Sequence, residues 1–267
     1  LVGNMDQFMV GQYSQLSVGA IGNANQILNV LIITFSVIST AAMILISQYL
    51  GANDRQKVHQ LYTLSFVVNT VLSLVIGAVL LLCSGPIFQL MRVPAELMKE
   101  SQQYISIIGG CLFLQAMQLT LSSFFRSHAM MKESMIVSVV INIVNVGGNL
   151  VLINGRFGLP ALGVVGAAIS SNLSRIAGLA IMFWIFYKKL GARFSLRYLR
   201  PFPKNMLRQL LHIGLPSGGE SLSYNMTQIF IMTFVNLFGS VSINTKVYAS
   251  MFAMCSYLFS SAIGQAS

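Results

Sequence analysis

The stretch Lys188–Arg208, KKLGARFSLRYLRPFPKNMLR, decides how the rest of the chain is read. It carries seven of the sixteen Lys and Arg residues and no acid, and Pro201 and Pro203 interrupt any helix through it. The sequence on both sides is long, apolar and nearly uncharged. A basic, proline-broken segment between apolar blocks reads as a loop on the cytoplasmic side of a membrane, because Lys and Arg are retained on that side. A solvated charge run in a water-soluble protein would need water-soluble flanks, and these are not.

Working outward, only 8% of residues are charged, 55% are hydrophobic, and the mean hydropathy is +0.74. A soluble domain carries about 25% charged residues. The net charge of +10 sits in short loops rather than along one face, so no nucleic-acid partner is expected. No P-loop, HExxH or Cys/His cluster is present, which leaves an ATP-driven pump or a metalloenzyme unsupported, and the chain is not expected to be an enzyme. Cys83, Cys111 and Cys255 lie in apolar runs and read as small packing residues. Leu1 and Ser267 both fall inside apolar runs, so the sequence is expected to be a segment of a longer chain.

The polar turn Gly11–Gly19 separates the tail of a first span from a second over about Ser17–Leu50. A third span is expected over about Val58–Cys83, leaving at Ser84–Pro86, and a fourth follows the proline-led start VPAELMKE (93–100) and runs to about Phe125. The fifth covers Met135–Ile153, the sixth Val164–Tyr187 and the seventh Leu207–Phe238; an eighth starts near Ser242. With the basic stretch cytoplasmic, that side collects eleven Lys and Arg, while the other side has Arg92, Lys99 and Arg156. The bias alternates as an even number of crossings requires. The expected organisation is a first lobe at 1–190, a basic cytoplasmic linker at 191–206, and the start of a second lobe at 207–267.

Ionisable groups inside spans cost several kcal/mol unless paired or solvated, so each is a functional candidate. Asp6 sits between Gly3 and Gly11 and reads as a carboxylate that binds a proton or cation. Asn142, Asn145 and Asn149 recur at helical spacing, with Asn145 and Asn149 on one face able to hydrogen-bond a carboxylate. Glu220 follows GLPSGG (214–219), where Pro216 and the glycines are expected to break the helix beside the acid. Lys246 reads as a charge partner of Glu220 or as a snorkelling residue. Arg175 reads as a structural intramembrane charge.

The chain resembles the multidrug and toxic compound extrusion (MATE) family. The resemblance rests on VGNMDQFMVG (2–11), ISQYLGANDRQKV (46–58), FFRSHAMMKESM (124–135), NVGGNLVLINGRFGLPALGVVGAAISSNLSR (145–175) and IGLPSGGESLSYNMTQ (213–228). It implies an all-α polytopic membrane protein of twelve spans, of which this chain holds a six-helix first lobe and the first two helices of a second. It also implies antiport of drugs or toxic organic cations against H+ or Na+ at the cell membrane, by a monomer among lipids, with no cofactor beyond the coupling ion. Asp6 matches the family's acid on the first helix and Asn145 its Asn on the fifth. Asn149 stands where many members carry a second Asp, and Glu220 matches a second-lobe acid only loosely. A lipid-linked saccharide flippase of the same superfamily would need a strongly cationic cavity, for which only Arg175 and Lys246 are available. A receptor or scaffold that moves nothing would need no acid beside glycines.

Overall fold

The computed structural model describes residues 2–155, 160–191, 194–200 and 202–266, without the side chains of 2–5, 196, 217, 220 and 254–266. Arg156, Arg193 and Pro201, which entered the loop reading, lie outside the described residues. The described chain is helical: α1 (Val2–Gly11), α2 (Gln15–Gly51), α3 (Arg55–Leu90), α4 (Ala95–Gly110), α5 (Leu112–Ser127), α6 (Met131–Leu152), α7 (Gly163–Lys189), α8 (Lys204–Asn236) and α9 (Ser240–Ala266). Among the described residues α2, α3, α6 and α7 are each long and apolar enough to cross a membrane, and α4 with α5 qualifies as a bent pair. The apolar surface agrees with a lipid surround. Val75, Leu82, Met135 and Ile143 are all more than half exposed, with Leu82 at 83%.

Local signals fix the helix ends. Ser14 caps α2 by accepting from the Ser17 amide at 3.4 Å. The turn after α2 places Asn53 at φ 56, a left-handed conformation that Asn tolerates. Asp54 then caps α3, accepting from the Lys57 amide at 3.2 Å and pairing with its ammonium at 2.8 Å. That pairing holds the Asp54 carboxyl below its usual range.

Two expectations about the helices are corrected, and one span is found to be bent. α3 does not leave at Ser84–Pro86 but continues through Pro86 to Leu90, carrying Phe88 into the core. The fourth span is not straight: α4 and α5 meet at Cys111 with a bend of 52°. Gly109 and Gly110 are weak helix formers at that point, and α3 approaches so closely that a Cβ on Gly77 would lie 2.8 Å from the Gly109 carbonyl. GLPSGG does not break α8, which runs unbroken through Pro216. Gly214 and Gly218, one turn apart, instead form a notch for Val37 of α2. A Cβ on Gly214 would lie 2.7 Å from that side chain, and one on Gly218 closer still. Small residues at this spacing let helices approach in a bilayer, where apolar surface gains nothing by leaving lipid. Cys83 is exposed rather than packed.

Apolar packing falls into two clusters. One gathers Ile21, Phe35, Phe88, Ile108 and Met232; the other gathers Leu45, Leu61, Phe124, Ile141 and Phe186. Buried polar side chains lie between the clusters along four helices: Ser39 on α2, Asn69 on α3, Asn145 and Asn149 on α6, and Ser170, Ser171, Asn172, Ser174 and Arg175 on α7. Asn69 donates to Thr120 at 2.8 Å and to Ser39 at 3.0 Å, tying α2, α3 and α5 together inside this stratum.

The basic stretch is anchored as well as charged. Phe194 stacks on Phe186 at 4.7 Å and lies 4.5 Å from Phe66, while Tyr198 stacks on His59 at 5.9 Å. The Ser195 amide donates to Thr63 at 3.4 Å, and Lys189 pairs with Glu133 at 2.7 Å. α8 begins at Lys204, inside the stretch expected as linker.

The notch is testable. Gly218→Ala should lower thermal stability in detergent by about 1–3 kcal/mol through overpacking, and adding Val37→Ala should recover most of it. Equal melting temperatures for Gly218→Ala and the parent protein would remove the notch.

Candidate functional site

Asp6 projects from α1 into the polar stratum and is fully buried. Four donors converge on its carboxylate. Asn145 and Asn149 of α6 donate to Oδ1 at 3.1 and 2.8 Å; Ser171 of α7 and Tyr104 of α4 donate to Oδ2 at 2.5 and 3.1 Å. Asn145 also donates to Ser171 Oγ at 3.1 Å, and its own backbone carbonyl accepts from Ser170 at 2.8 Å. The donors fix one another as well as the acid.

The four described groups bonded to Asp6 all donate, the complement of an ionised, acceptor-only carboxylate. Buried charge is tolerated when its lone pairs are satisfied this fully. Two features equip the site to bind a cation or a proton. Asn149 Oδ1 is buried beside the carboxylate without a hydrogen-bond partner among the described residues. The hydroxyls of Ser171 and Tyr104 can rotate to accept if Asp6 carries a proton. Carboxylate, carboxamide and hydroxyl oxygens are the ligands a hard cation prefers. Among the described residues no group of three or more His, Cys, Asp or Glu could hold a metal ion.

The structure thus brings Asp6, Asn145 and Asn149 together. Asn142 is not among them: its amide donates to Ser138 of its own helix at 2.7 Å. The Glu220 side chain lies outside the described residues, so its pairing with Lys246 does too. Lys246 Nζ is buried with no hydrogen-bond partner among the described residues. Arg175 forms no ion pair among them, and its Nη1 donates to Asn172 at 3.4 Å. Tyr104 and Ser171 were not singled out from the sequence. The SSNLSR run ending at Arg175 was the available signal for Ser171; Tyr104 sits in the polar stretch KESQQY and gave none.

Beside the site is a cavity of about 280 Å³ between α1, α2, α4, α5 and α7 on one side and α8 and α9 on the other. Gln7, Gln26, Tyr104, Arg175 and Lys246 are in its wall. Tyr104 belongs to both places, touching Asp6 and lining the cavity.

A family model described as MatE matches residues 1–151. The chain is 38% identical to "Uncharacterized transporter YisQ" of Bacillus subtilis (strain 168) over 99% of its own length and 58% of that protein. It is 25% identical to "Probable multidrug resistance protein NorM" of Thermotoga maritima over 84% of its length and 48% of that protein. The fold is similar to that of a solved MATE transporter in an inward-facing conformation, with a TM-score of 0.87 and 20% identity over 96% of this chain and 58% of that one. The chain therefore spans about half the length of these relatives.

The network predicts unequal costs for its members. Ser171→Ala removes a donor to Asp6 and the acceptor of Asn145, and should lower stability in detergent by about 1.5–3 kcal/mol. Asn142→Ala should stay within about 0.5 kcal/mol. Equal shifts in the two melting curves would contradict the network.

Proposed function

We propose, from the premise that the chain belongs to the MatE family, that it moves amphipathic organic compounds across the cell membrane in exchange for H+ or Na+, loaded at Asp6. Members of this family are transporters and not enzymes, and the apolar helices make the chain a multi-pass membrane protein. The activity and cargo of the whole protein, and the division into lobes at 1–190 and 207–267 joined by a cytoplasmic linker at 191–206, belong to the proposal.

The observation that carries it is the convergence of four donors from three helices on one buried carboxylate. Loading Asp6 with a proton or cation neutralises it, weakens the charge-assisted bonds, and turns one of its hydroxyl donors into an acceptor. The tie between α1 and the helices α4, α6 and α7 loosens. A ligand shifts a conformational equilibrium only by its differential affinity for the two states, and here the difference lies in the bonds that loading rearranges. Tyr104 gives that change a path to the cavity. One charge crossing 100 mV supplies about 2.3 kcal/mol, enough to bias such a step. The multidrug-resistance name of the Thermotoga relative supports an organic cargo. The cavity wall carries two cations and no carboxylate among its described residues, which supports the amphipathic part of the expected cargo and not the cationic part.

The coupling role is tested by Asp6→Asn, which keeps shape and hydrogen-bonding reach but cannot titrate or carry charge. The variant should insert normally and lose active efflux in vesicles against an imposed H+ or Na+ gradient. Asn145→Ala should lose less, since the carboxylate keeps three donors. Wild-type rates in Asp6→Asn would refute the role.

Orientation is tested separately. In a background lacking Cys83, Cys111 and Cys255, a cysteine replacing the exposed Arg200 should react with an impermeant maleimide only from the cytoplasmic side. Labelling from outside intact cells would invert the topology.

A further inference from the structure

The cavity wall holds a charge pattern that ion loading at Asp6 does not use. Arg175 comes from α7 and Lys246 from α9, and both line the same space. Neither forms an ion pair among the described residues. Lys246 Nζ is buried with no hydrogen-bond partner among them, and Arg175, only 9% exposed, has a single bond of 3.4 Å to Asn172. The nearby carboxylate, Asp6, is occupied by four other donors. No Asp or Glu is in the wall among the described residues.

Cations in a low-dielectric wall are retained at a cost unless something negative is near them. Among the described residues Lys246 has no ionic partner, and Arg175 has only the nearby Asp6, whose oxygens are taken by other donors. An organic cation entering between them would meet repulsion from both. An anionic group would meet a guanidinium, whose planar fork matches carboxylate and phosphate oxygens, and an ammonium as a second point of attachment. Gln26 and Asn29 add neutral amide donors to the wall, while Met232 and Met251 offer adaptable apolar surface. We propose that this cavity binds amphipathic organic anions, with a carboxylate or phosphate held between Arg175 and Lys246 and the apolar body against the methionines. Such a ligand joins α7 to α9 across the cavity, so its arrival and departure bear on how the two sides separate. Calling this ligand the cargo rests on the transport reading; its binding does not.

The test uses two xanthene dyes of opposite charge, carboxyfluorescein and rhodamine 6G, bound to purified protein in a neutral detergent without any gradient. Carboxyfluorescein should bind more tightly. Arg175→Gln and Lys246→Gln should each weaken its binding about tenfold to a hundredfold, the range for loss of a charge-assisted hydrogen bond, and should leave rhodamine 6G unchanged or improved. Lys246→Arg should retain carboxyfluorescein binding, which guards against misfolding as the cause. Undecaprenyl phosphate added in the same detergent identifies the source of the anion. Competition by it at concentrations where a soluble alkyl carboxylate fails assigns the site to a lipid-borne phosphate; the reverse assigns it to a free amphipathic anion. Tighter binding of rhodamine 6G, with carboxyfluorescein binding indifferent to both Gln variants, would overturn the proposal. Charge-dependent binding without gradient-driven flux would remove the transport reading and leave the anion site standing.

Discussion

A carboxylate buried in a membrane protein needs its lone pairs filled, and Asp6 meets that need with donors from α4, α6 and α7. Much of the bundle follows from this requirement. α1 is a short described helix, yet it is fixed against three others because its acid is the acceptor they share. The donors are arranged in turn: Ser170 holds the Asn145 carbonyl, and Asn145 donates to both Asp6 and Ser171. Altering the charge on Asp6 therefore alters several helix contacts at once.

The network works only because the apolar packing around it is divided. The two apolar clusters leave a polar stratum between them, and Asn69 with Ser39 and Thr120 closes that stratum on the side of α2, α3 and α5. In a bilayer, burying apolar side chains against one another gains little over contact with lipid. Close backbone approach and interhelical hydrogen bonds must then carry specificity. The Gly214 and Gly218 notch over Val37 supplies the first where α8 meets α2, and the Asp6 network supplies the second where α1 meets α6 and α7. The basic stretch after α7 adds a third device. Phe194 and Tyr198 seat it among aromatic side chains, so it is joined to the bundle and not merely tethered beside it.

What the sequence determined by itself was whatever depends on local pattern or on the solvent. Apolar run lengths placed the long helices α2, α6 and α7 to within a few residues, because a bilayer accepts only internally bonded backbone. Intramembrane charge and amide spacing picked out Asp6, Asn145 and Asn149, because a charge in lipid is too costly to lack a purpose. The tertiary structure alone decided what depends on neighbours distant in sequence. Pro216 and its glycines carry a helix-breaking signature, yet α8 continues, since Val37 of another helix needs the space those glycines leave. Gly109 and Gly110 weaken the helix locally, but that α4 and α5 bend there, where α3 comes close at Gly77, is seen only in the packed structure. Tyr104 and Ser171 are ordinary polar residues until α4 and α7 bring them within 3.1 and 2.5 Å of Asp6. Arg175 and Lys246 lie seventy-one positions apart, and only the fold brings them to the wall of one cavity. Spacing along a chain reports which side chains share a helix face; it carries no record of which faces the helices turn toward one another.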